Sequence, residues 1–231
     1  MLPLVATNRM AQWILDLGYV IWILPEVYLS TRRRSPAGAQ TNDRRSGLVL
    51  TIGIWFGIFA GYFFAFGAPA FAIPWHHTLL FALGIALMLV GIIFRQYSIR
   101  VLGKYFTTRV AVQPGQTVVE SGPYRWIRHP SYSGSLITVL GVALSFANWL
   151  SLIFVLLVPF LGYSYRVWVE ENTLVKSLGQ PYRDYMKRTK RFIPYIYHIF
   201  IRYNTFANAV SGAANVGTIW QIVPQMAKVL R

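Results

Sequence analysis

Cysteine is missing from this chain of 231 residues, and acidic side chains are scarce. Without a thiol, the protein can have neither a disulfide framework nor a thiolate metal site. Charged residues make up 13% of the sequence, well below the share that a soluble domain usually carries. Lys and Arg exceed Asp and Glu so strongly that the net charge is +15, and 55% of the residues are hydrophobic. This combination favours a membrane over a nucleic acid as the partner.

The sequence also lacks the short patterns of several large enzyme classes. No HExxH, GxGxxG, GxxxxGK[ST] or GxSxG pattern occurs, so zinc protease, Rossmann, P-loop and serine hydrolase chemistry has no support. There is no internal repeat of the solenoid or propeller kind. We therefore predict a single transmembrane domain over residues 1–203, followed by a tail, residues 204–231, whose role the sequence does not indicate.

Long apolar runs are the main feature that is present. A helix needs roughly 20 apolar residues to cross a bilayer, and five segments meet this description. The predicted spans are residues 10–29, 47–67, 78–99, 131–147 and 149–169. The last two are separated only by Asn148, which predicts a tight helical hairpin. The sequence therefore predicts an all-α integral membrane protein with about five transmembrane helices.

Lys and Arg residues are concentrated in alternate loops. They cluster after the first, third and fifth predicted spans, whereas residues 68–77 and the turn at Asn148 contain none. With five spans, all the basic segments lie on one side, and the positive-inside rule makes that side cytoplasmic. We expect a multi-pass protein of the bacterial inner membrane, or of the endoplasmic reticulum if the source is eukaryotic. An amphipathic helix is predicted at the cytoplasmic face over residues 170–191.

Polar and conformationally restricted residues are concentrated in residues 120–134, directly before the fourth span. Pro130 disfavours helical geometry at His129 and suits the first turn of a helix. The free N–H groups at such a helix start favour an anionic ligand group. At the far end of the hairpin, Arg166 and Glu170 are four residues apart and share one face of a helix. Both ends meet at the cytoplasmic surface, which predicts a pocket containing a cation, a carboxylate and a histidine.

Each of these residues also has a simpler interpretation. Arg166 and Glu170 form an ordinary pair on many exposed helix surfaces, where such a pair contributes little. His129 alone would serve as a helix cap or an interfacial residue. Glu171 would be a solvated side chain. Composition and spacing leave the choice between the two interpretations open.

A resemblance to a known family favours the functional interpretation. The segment from Arg128 to Gly134 reads Arg-His-Pro-Ser-Tyr-Ser-Gly, and an apolar hairpin separates it from Glu170-Glu171. This arrangement resembles the Arg-His-Pro-x-Tyr-x-Gly…Glu-Glu pattern of the isoprenylcysteine carboxyl methyltransferase family and of related phospholipid methyltransferases. The flanking segments 116–124 and 179–194 are similar to the family as well. The resemblance covers roughly residues 95–197.

The resemblance implies an S-adenosylmethionine-dependent methyltransferase that releases S-adenosylhomocysteine. Its acceptor would be the carboxylate of an isoprenylcysteine or another lipid-linked group that enters from the bilayer, with no metal ion and no nucleic acid involved. The cofactor region would lie within about residues 104–197. The cofactor-binding residues that it implies are Gln116, Thr117, Val118, Val119, Tyr124, His129, Pro130, Ser131, Tyr132 and Glu170. Arg166 would be the catalytic, substrate-binding residue, and Arg128 and Glu171 would have supporting roles.

Physical reasoning assigns complementary tasks within this site. His129 and the start of the fourth helix are expected to receive the carboxylate of the cofactor, and Glu170 its ammonium group. Three alternatives stay open. The chain could be a phospholipid or amine N-methyltransferase with Glu171 as base, a sterol-reductase-like membrane oxidoreductase that uses a dinucleotide, or a non-catalytic lipid-binding protein.

Overall fold

The computed structural model describes residues 2–32, 40–41 and 45–192, which are mostly helical. The helices are α1 (Leu4–Thr7), α2 (Arg9–Arg32), α3 (Ser46–Gly67), α4 (His77–Leu102), α5 (Pro130–Ser145), α6 (Trp149–Leu178) and α7 (Gln180–Arg188). Two short strands, β1 (Gln40–Thr41) and β2 (Ala111–Val112), pair in antiparallel register. The predicted all-α class is confirmed. The predicted tail, residues 204–231, lies outside the described residues.

Four of these helices are long and apolar enough to cross a membrane. They are α2, α3, α4 with a 3₁₀ turn that extends it to Tyr105, and α6. The remaining predicted span corresponds to α5, which has 16 residues and is therefore only about 24 Å long. That is shorter than the roughly 30 Å hydrocarbon core of a bilayer. Most of α5 is buried against its neighbours, so protein replaces lipid as its main surroundings.

The predicted hairpin between α5 and α6 is present, and Asn148 fixes its turn. The side-chain oxygen of Asn148 accepts a hydrogen bond from the Ser151 amide at 3.1 Å, which caps α6. The Asn148 amide group donates to the carbonyl oxygens of Phe64 and Ala68 at 3.2 and 3.1 Å. The turn is therefore attached to the end of α3, and α3 packs along α6.

Glycine residues allow the backbones of α4 and α5 to approach each other closely. A Cβ atom on Gly91 would lie 2.4 Å from the Thr138 amide nitrogen, and one on Gly141 would lie 2.4 Å from the Gly84 carbonyl oxygen. Small residues are typical of helix interfaces in membranes, where close van der Waals packing replaces the hydrophobic effect. This contact fixes the start of α5, where the functional candidates are concentrated.

The predicted amphipathic helix at residues 170–191 is wrong in its extent. Helix α6 continues without a break to Leu178, because neither proline nor glycine occurs between Gly162 and Gly179. Gly179 has φ of 66°, a conformation that favours glycine, and there the chain turns into α7. As a result, Arg166, Glu170 and Glu171 all lie on one continuous helix.

Candidate functional site

Two cavities meet between the start of α5 and the second half of α6. The first, which we call the loop cavity, measures about 840 Å³ including its open mouth and is lined mainly by residues between Leu102 and Tyr132 and between Arg166 and Tyr185. The second, the helix cavity, measures about 1180 Å³ on the same basis, and its walls of mainly apolar side chains come largely from α2 and α3. The residues that line both cavities are Phe106, Thr107, Tyr132 and Arg166.

The Tyr132 hydroxyl connects the two charged residues of this boundary. Arg166 Nε donates a hydrogen bond to the Tyr132 hydroxyl at 2.9 Å, and this hydroxyl donates to Glu170 Oε2 at 2.8 Å. Arg166 also donates to Ser46 Oγ at 3.2 Å and to the Thr108 carbonyl at 2.7 Å. Arg166 is only 5% exposed. The simpler interpretation of Arg166 and Glu170 as an exposed surface pair is therefore wrong.

His129 is the residue that precedes α5, and its imidazole lies between two carboxylates. Its Nδ1 is 3.7 Å from Glu170 Oε2, and its Nε2 is 3.4 Å from Glu171 Oε1. The ring stacks on that of Tyr132 with 5.5 Å between centroids. The His129 carbonyl accepts from the amides of Tyr132 and Ser133, so these amides are already paired. This arrangement argues against His129 and the α5 start as the receptor for a carboxylate.

Glu171 is enclosed by cationic side chains. Arg128 Nε donates to its Oε1 at 2.9 Å, and Arg191 Nη2 lies 2.6 Å from its Oε2. Glu171 is 3% exposed, so its interpretation as a solvated residue is wrong. Glu171 lines neither of the two cavities. It is therefore placed to hold the surrounding cations together, and it has no direct route to a proton on a ligand.

The chain that follows α7 supports the corner at His129. The amides of Arg128 and His129 donate to the carbonyls of Lys190 and Arg191 at 2.7 and 3.1 Å, and the Lys190 amide donates to the Trp126 carbonyl at 2.9 Å. This short parallel contact ties the segment before α5 to the segment after α7. Sequence reasoning missed it, because a pairing of so few residues leaves no periodic pattern.

The loop cavity gathers nearly all of the residues that the family resemblance implied. Ten of them line it, namely Gln116, Thr117, Val118, Val119, Tyr124, His129, Ser131, Tyr132, Arg166 and Glu170. Arg128 lines it as well, whereas Pro130 is buried outside the lining. The sequence reading missed Thr173, Leu174 and Leu178, which follow Glu170 at helical spacing on the same face of α6. Extending that periodicity would have found them.

Aromatic residues form much of the remaining wall of the loop cavity. Tyr124, Tyr182 and Tyr185 are buried and line it. The Tyr185 hydroxyl donates to the Tyr124 carbonyl at 2.7 Å. Burial raises the pKa of Tyr124, Tyr182 and Tyr185 well above the ordinary value of a phenol, with a smaller contribution from the Glu170 carboxylate for Tyr124. All three rings therefore stay neutral at physiological pH and offer flat, apolar faces to a ligand.

A partly buried ion pair adds charge to the mainly apolar helix cavity. Arg95 Nη2 donates to Glu26 Oε2 at 2.7 Å, and Arg95 Nε forms a second, shorter contact with the same carboxylate. Arg95 Nη1 donates to the Ser131 carbonyl at 3.2 Å. Both members of the pair line the helix cavity. The pair connects α2 to α4 and, through Ser131, to the start of α5.

Comparison with known proteins shows which proteins this chain is similar to. Residues 83–176 match the model of the isoprenylcysteine carboxyl methyltransferase (ICMT) family. A probable protein-S-isoprenylcysteine O-methyltransferase from Oryza sativa is 30% identical over 115 residues, which are 49% of this chain and 60% of that protein. The protein-S-isoprenylcysteine O-methyltransferase of Xenopus laevis is 31% identical over 121 residues, 52% of this chain and 42% of that protein.

Among solved structures, the chain is similar to a eukaryotic intramembrane Ras methyltransferase, ICMT, with a TM-score of 0.52 and 24% identity. The match covers 67% of this chain and 54% of that one. The chain therefore spans about half the length of the relatives that it matches. With the four apolar helices, the shared fold makes this chain a multi-pass integral membrane protein. The family resemblance drawn from the sequence is confirmed.

Proposed function

From the match of residues 83–176 to the model of the isoprenylcysteine carboxyl methyltransferase family, we propose that this chain is an integral-membrane methyltransferase. It uses S-adenosylmethionine to methylate the carboxylate of an isoprenylcysteine or another lipid-linked acceptor. One observation carries the proposal: a largely apolar cavity between helices meets a more polar cavity at Arg166 and Tyr132. A water-soluble donor and a lipid acceptor need such a junction to come into contact.

The loop cavity suits the donor. The rings of Tyr124, Tyr182 and Tyr185 offer faces to a purine, and Glu170 is the carboxylate that lines the cavity. Glu170 uses its Oε2 to accept from Tyr132, and no described residue donates a hydrogen bond to its Oε1. We assign the donor's ammonium group to Glu170. When bound, S-adenosylmethionine supplies a methyl group that its sulfonium centre already activates.

The helix cavity suits the lipid part of the acceptor. Its walls include Trp22, Leu50, Ile54 and Ile58, which suit an isoprenoid or acyl tail. Arg166 stands at the end of this cavity and is held by Tyr132, Ser46 and Thr108. A fixed guanidinium orients a carboxylate well, and orientation alone can contribute several kcal/mol to catalysis.

A carboxylate acceptor is favoured over an amine. A carboxylate is ionised at neutral pH and needs no base, whereas a protonated amine must lose its proton before it can accept a methyl group. Glu171, the base that an amine would require, is enclosed by Arg128, His129 and Arg191. An ammonium group would also be repelled by Arg166. The alternative of an amine N-methyltransferase therefore has the weaker support.

A transfer assay with defined acceptors tests the proposal. Purified protein in lipid nanodiscs is supplied with methyl-labelled S-adenosylmethionine and one acceptor at a time: an S-farnesyl thioether acid, its amide, a fatty acid or phosphatidylethanolamine. We expect label on the farnesyl acid in a form that mild alkali releases, which identifies a methyl ester. Label that resists alkali on phosphatidylethanolamine would overturn the carboxylate assignment. Binding of a nicotinamide dinucleotide without binding of S-adenosylhomocysteine would overturn the methyltransferase assignment.

A further inference from the structure

Most of the cationic side chains that line the loop cavity are already paired. Arg128 is held by Glu171 and by the carbonyls of Met186 and Thr189. His129 lies between two carboxylates, as described above. Arg166 is held at the boundary with the helix cavity, where it is assigned to the carboxylate of the acceptor. None of the three is therefore left for the carboxylate of the donor.

Arg109 is different from the other cations of this cavity. It lines the loop cavity and is exposed. Within residues 2–32, 40–41 and 45–192, no side chain forms an ion pair or a hydrogen bond with its guanidinium group. Arg109 therefore brings a positive charge to the rim that the protein itself does not neutralise.

The backbone holds Arg109 in this place. The Thr108 carbonyl, one residue earlier, accepts a hydrogen bond from Arg166 at 2.7 Å. The Arg109 carbonyl accepts from Thr107 Oγ1 at 2.7 Å. Directly after Arg109 the chain is buried and enters β2. An arginine anchored on both sides keeps its Cα fixed beside the site while its long side chain can reach a ligand.

The amino-acid end of the proposed donor carries an ammonium group, assigned above to Glu170, and a carboxylate. The carboxylate so far has no partner in the site. The two carboxylates beside His129 make that residue a poor receptor for a third. A guanidinium group binds a carboxylate through paired, charge-assisted hydrogen bonds. We propose that Arg109 binds the carboxylate of the methionine part of S-adenosylmethionine, an inference that rests on the proposed function.

Two ligands that differ only in this carboxylate test the inference. S-adenosylhomocysteine carries it, and S-adenosyl-3-thiopropylamine lacks it but keeps the ammonium group and the adenosine. We expect Arg109→Ala to weaken the binding of S-adenosylhomocysteine by about tenfold or more, because a hydrogen bond to a charged group is lost. The affinity for the decarboxylated ligand should not change. Arg109→Lys should bind S-adenosylhomocysteine with an affinity between those of the natural protein and of Arg109→Ala. Isothermal titration in nanodiscs measures all of these affinities.

Arg125→Ala is the matched control. Arg125 is also an exposed arginine of this region, but its guanidinium lies over the Trp126 ring at 5.8 Å and it does not line the loop cavity. Its removal should change neither affinity, which separates a direct contact from a general loss of positive charge. The affinity of the natural protein for S-adenosylhomocysteine should also fall with ionic strength more steeply than that of Arg109→Ala.

The outcomes separate this inference from the proposed function. If the natural protein binds S-adenosylhomocysteine and Arg109→Ala binds it equally well, the contact with Arg109 is disproved and the methyltransferase assignment stands. If the variant loses both ligands to the same extent, Arg109 does not recognise the carboxylate. If the natural protein does not bind S-adenosylhomocysteine at all, the proposed function and the inference both fail.

Discussion

The Tyr132 hydroxyl connects the cation Arg166 and the carboxylate Glu170 at the junction of the two cavities. It accepts from Arg166 and donates to Glu170, so it fixes the direction in which each side chain points. The stacked His129 ring restricts the phenol on one face. A tyrosine in the first turn of α5 thereby sets the geometry of two residues on α6.

Removing this hydroxyl should impair turnover more than donor binding. In Tyr132→Phe, Arg166 and Glu170 each lose a charge-assisted hydrogen bond, worth about 1.5–3 kcal/mol. We expect kcat to fall by about tenfold or more, because Arg166 no longer holds the acceptor in line, with a smaller change in affinity for S-adenosylhomocysteine. Steady-state kinetics and titration measure the two effects. Tyr97→Phe, which changes a half-exposed tyrosine on α4, serves as control. An unchanged kcat in Tyr132→Phe would contradict the role assigned to the Tyr132 hydroxyl.

The buried carboxylate of Glu171 should matter for stability. Glu171→Gln leaves Arg128 and Arg191 facing a neutral group in a buried position, and breaking a buried ion pair costs about 3–5 kcal/mol. We expect a clear drop in the unfolding temperature in detergent. Asp184→Asn removes a carboxylate from a pair with Lys187 that is exposed, and it should leave that temperature unchanged. Equal effects of the two substitutions would show that Glu171 is not a structural anchor.

These residues also show where sequence reasoning was limited. The motif predicted that His129, Arg166 and Glu170 lie together, and the structure brings them to one cavity. The sequence could not predict that Glu171 is buried. Adjacent residues on a helix point about 100° apart, so Glu170 reaches the cavity while Glu171 meets Arg128 and Arg191. Those partners come from distant parts of the chain.

At the scale of helices, the close contact between α4 and α5 determines where the site can form. Gly84, Gly91, Gly134 and Gly141 all lie where an added Cβ would meet backbone atoms of the other helix at less than 3 Å. The spacing of seven residues within each pair keeps them on one face of each helix. Helix α5 is too short to be held by lipid alone, so this interface carries much of its stability.

A single methyl group at this interface should be damaging. In Gly141→Ala, the new Cβ would lie 2.4 Å from the Gly84 carbonyl oxygen, so the helices must separate. Overpacking of this kind costs about 1–3 kcal/mol. We expect a lower unfolding temperature and a lower yield of folded protein on size-exclusion chromatography. Gly67 lies at the end of α3, and an added Cβ there would have no atom within 4 Å, so Gly67→Ala should be tolerated. Equal tolerance of Gly141→Ala would disprove tight packing between α4 and α5.

The sequence predicted which segments form long helices better than it predicted which helices pack against each other. Hydrophobic length placed α2, α3 and α4 within a few residues of their observed ends, because a bilayer imposes a minimum length on each span. It failed at the C-terminal end of α6, because a change from apolar to amphipathic character was taken as the end of the helix. The α4–α5 partnership was not predicted, since glycines are frequent in many membrane helices and do not specify their partner.

At the scale of the whole molecule, the walls of the two cavities differ in character. The loop cavity is built from the basic connection between α4 and α5 and from the end of α6, whereas the helix cavity lies among apolar helices. We propose that the loop cavity faces the cytoplasm, where the basic loops place it by the positive-inside rule. No single helix could have revealed this division, because the loop cavity combines two stretches that are distant in sequence and the helix cavity takes its walls from at least four.

The lack of cysteine makes the proposed orientation simple to test. We expect Lys104→Cys, on the exposed loop after α4, to react with a membrane-impermeant maleimide only in inside-out vesicles. Trp75→Cys, on the exposed loop between α3 and α4, should react only in right-side-out vesicles. The unmodified protein supplies the blank, and labelling of both positions from the same side would contradict the proposed topology.

The helix cavity draws much of its wall from α2 and α3, which lie outside the segment that matches the family model, whereas the loop cavity is formed largely by residues within it. Substitutions on these two helices can therefore reshape the helix cavity while the loop cavity keeps its lining. Under the proposed function, proteins built on this scaffold can diverge in the hydrophobic acceptors that they methylate while they bind the same methyl donor.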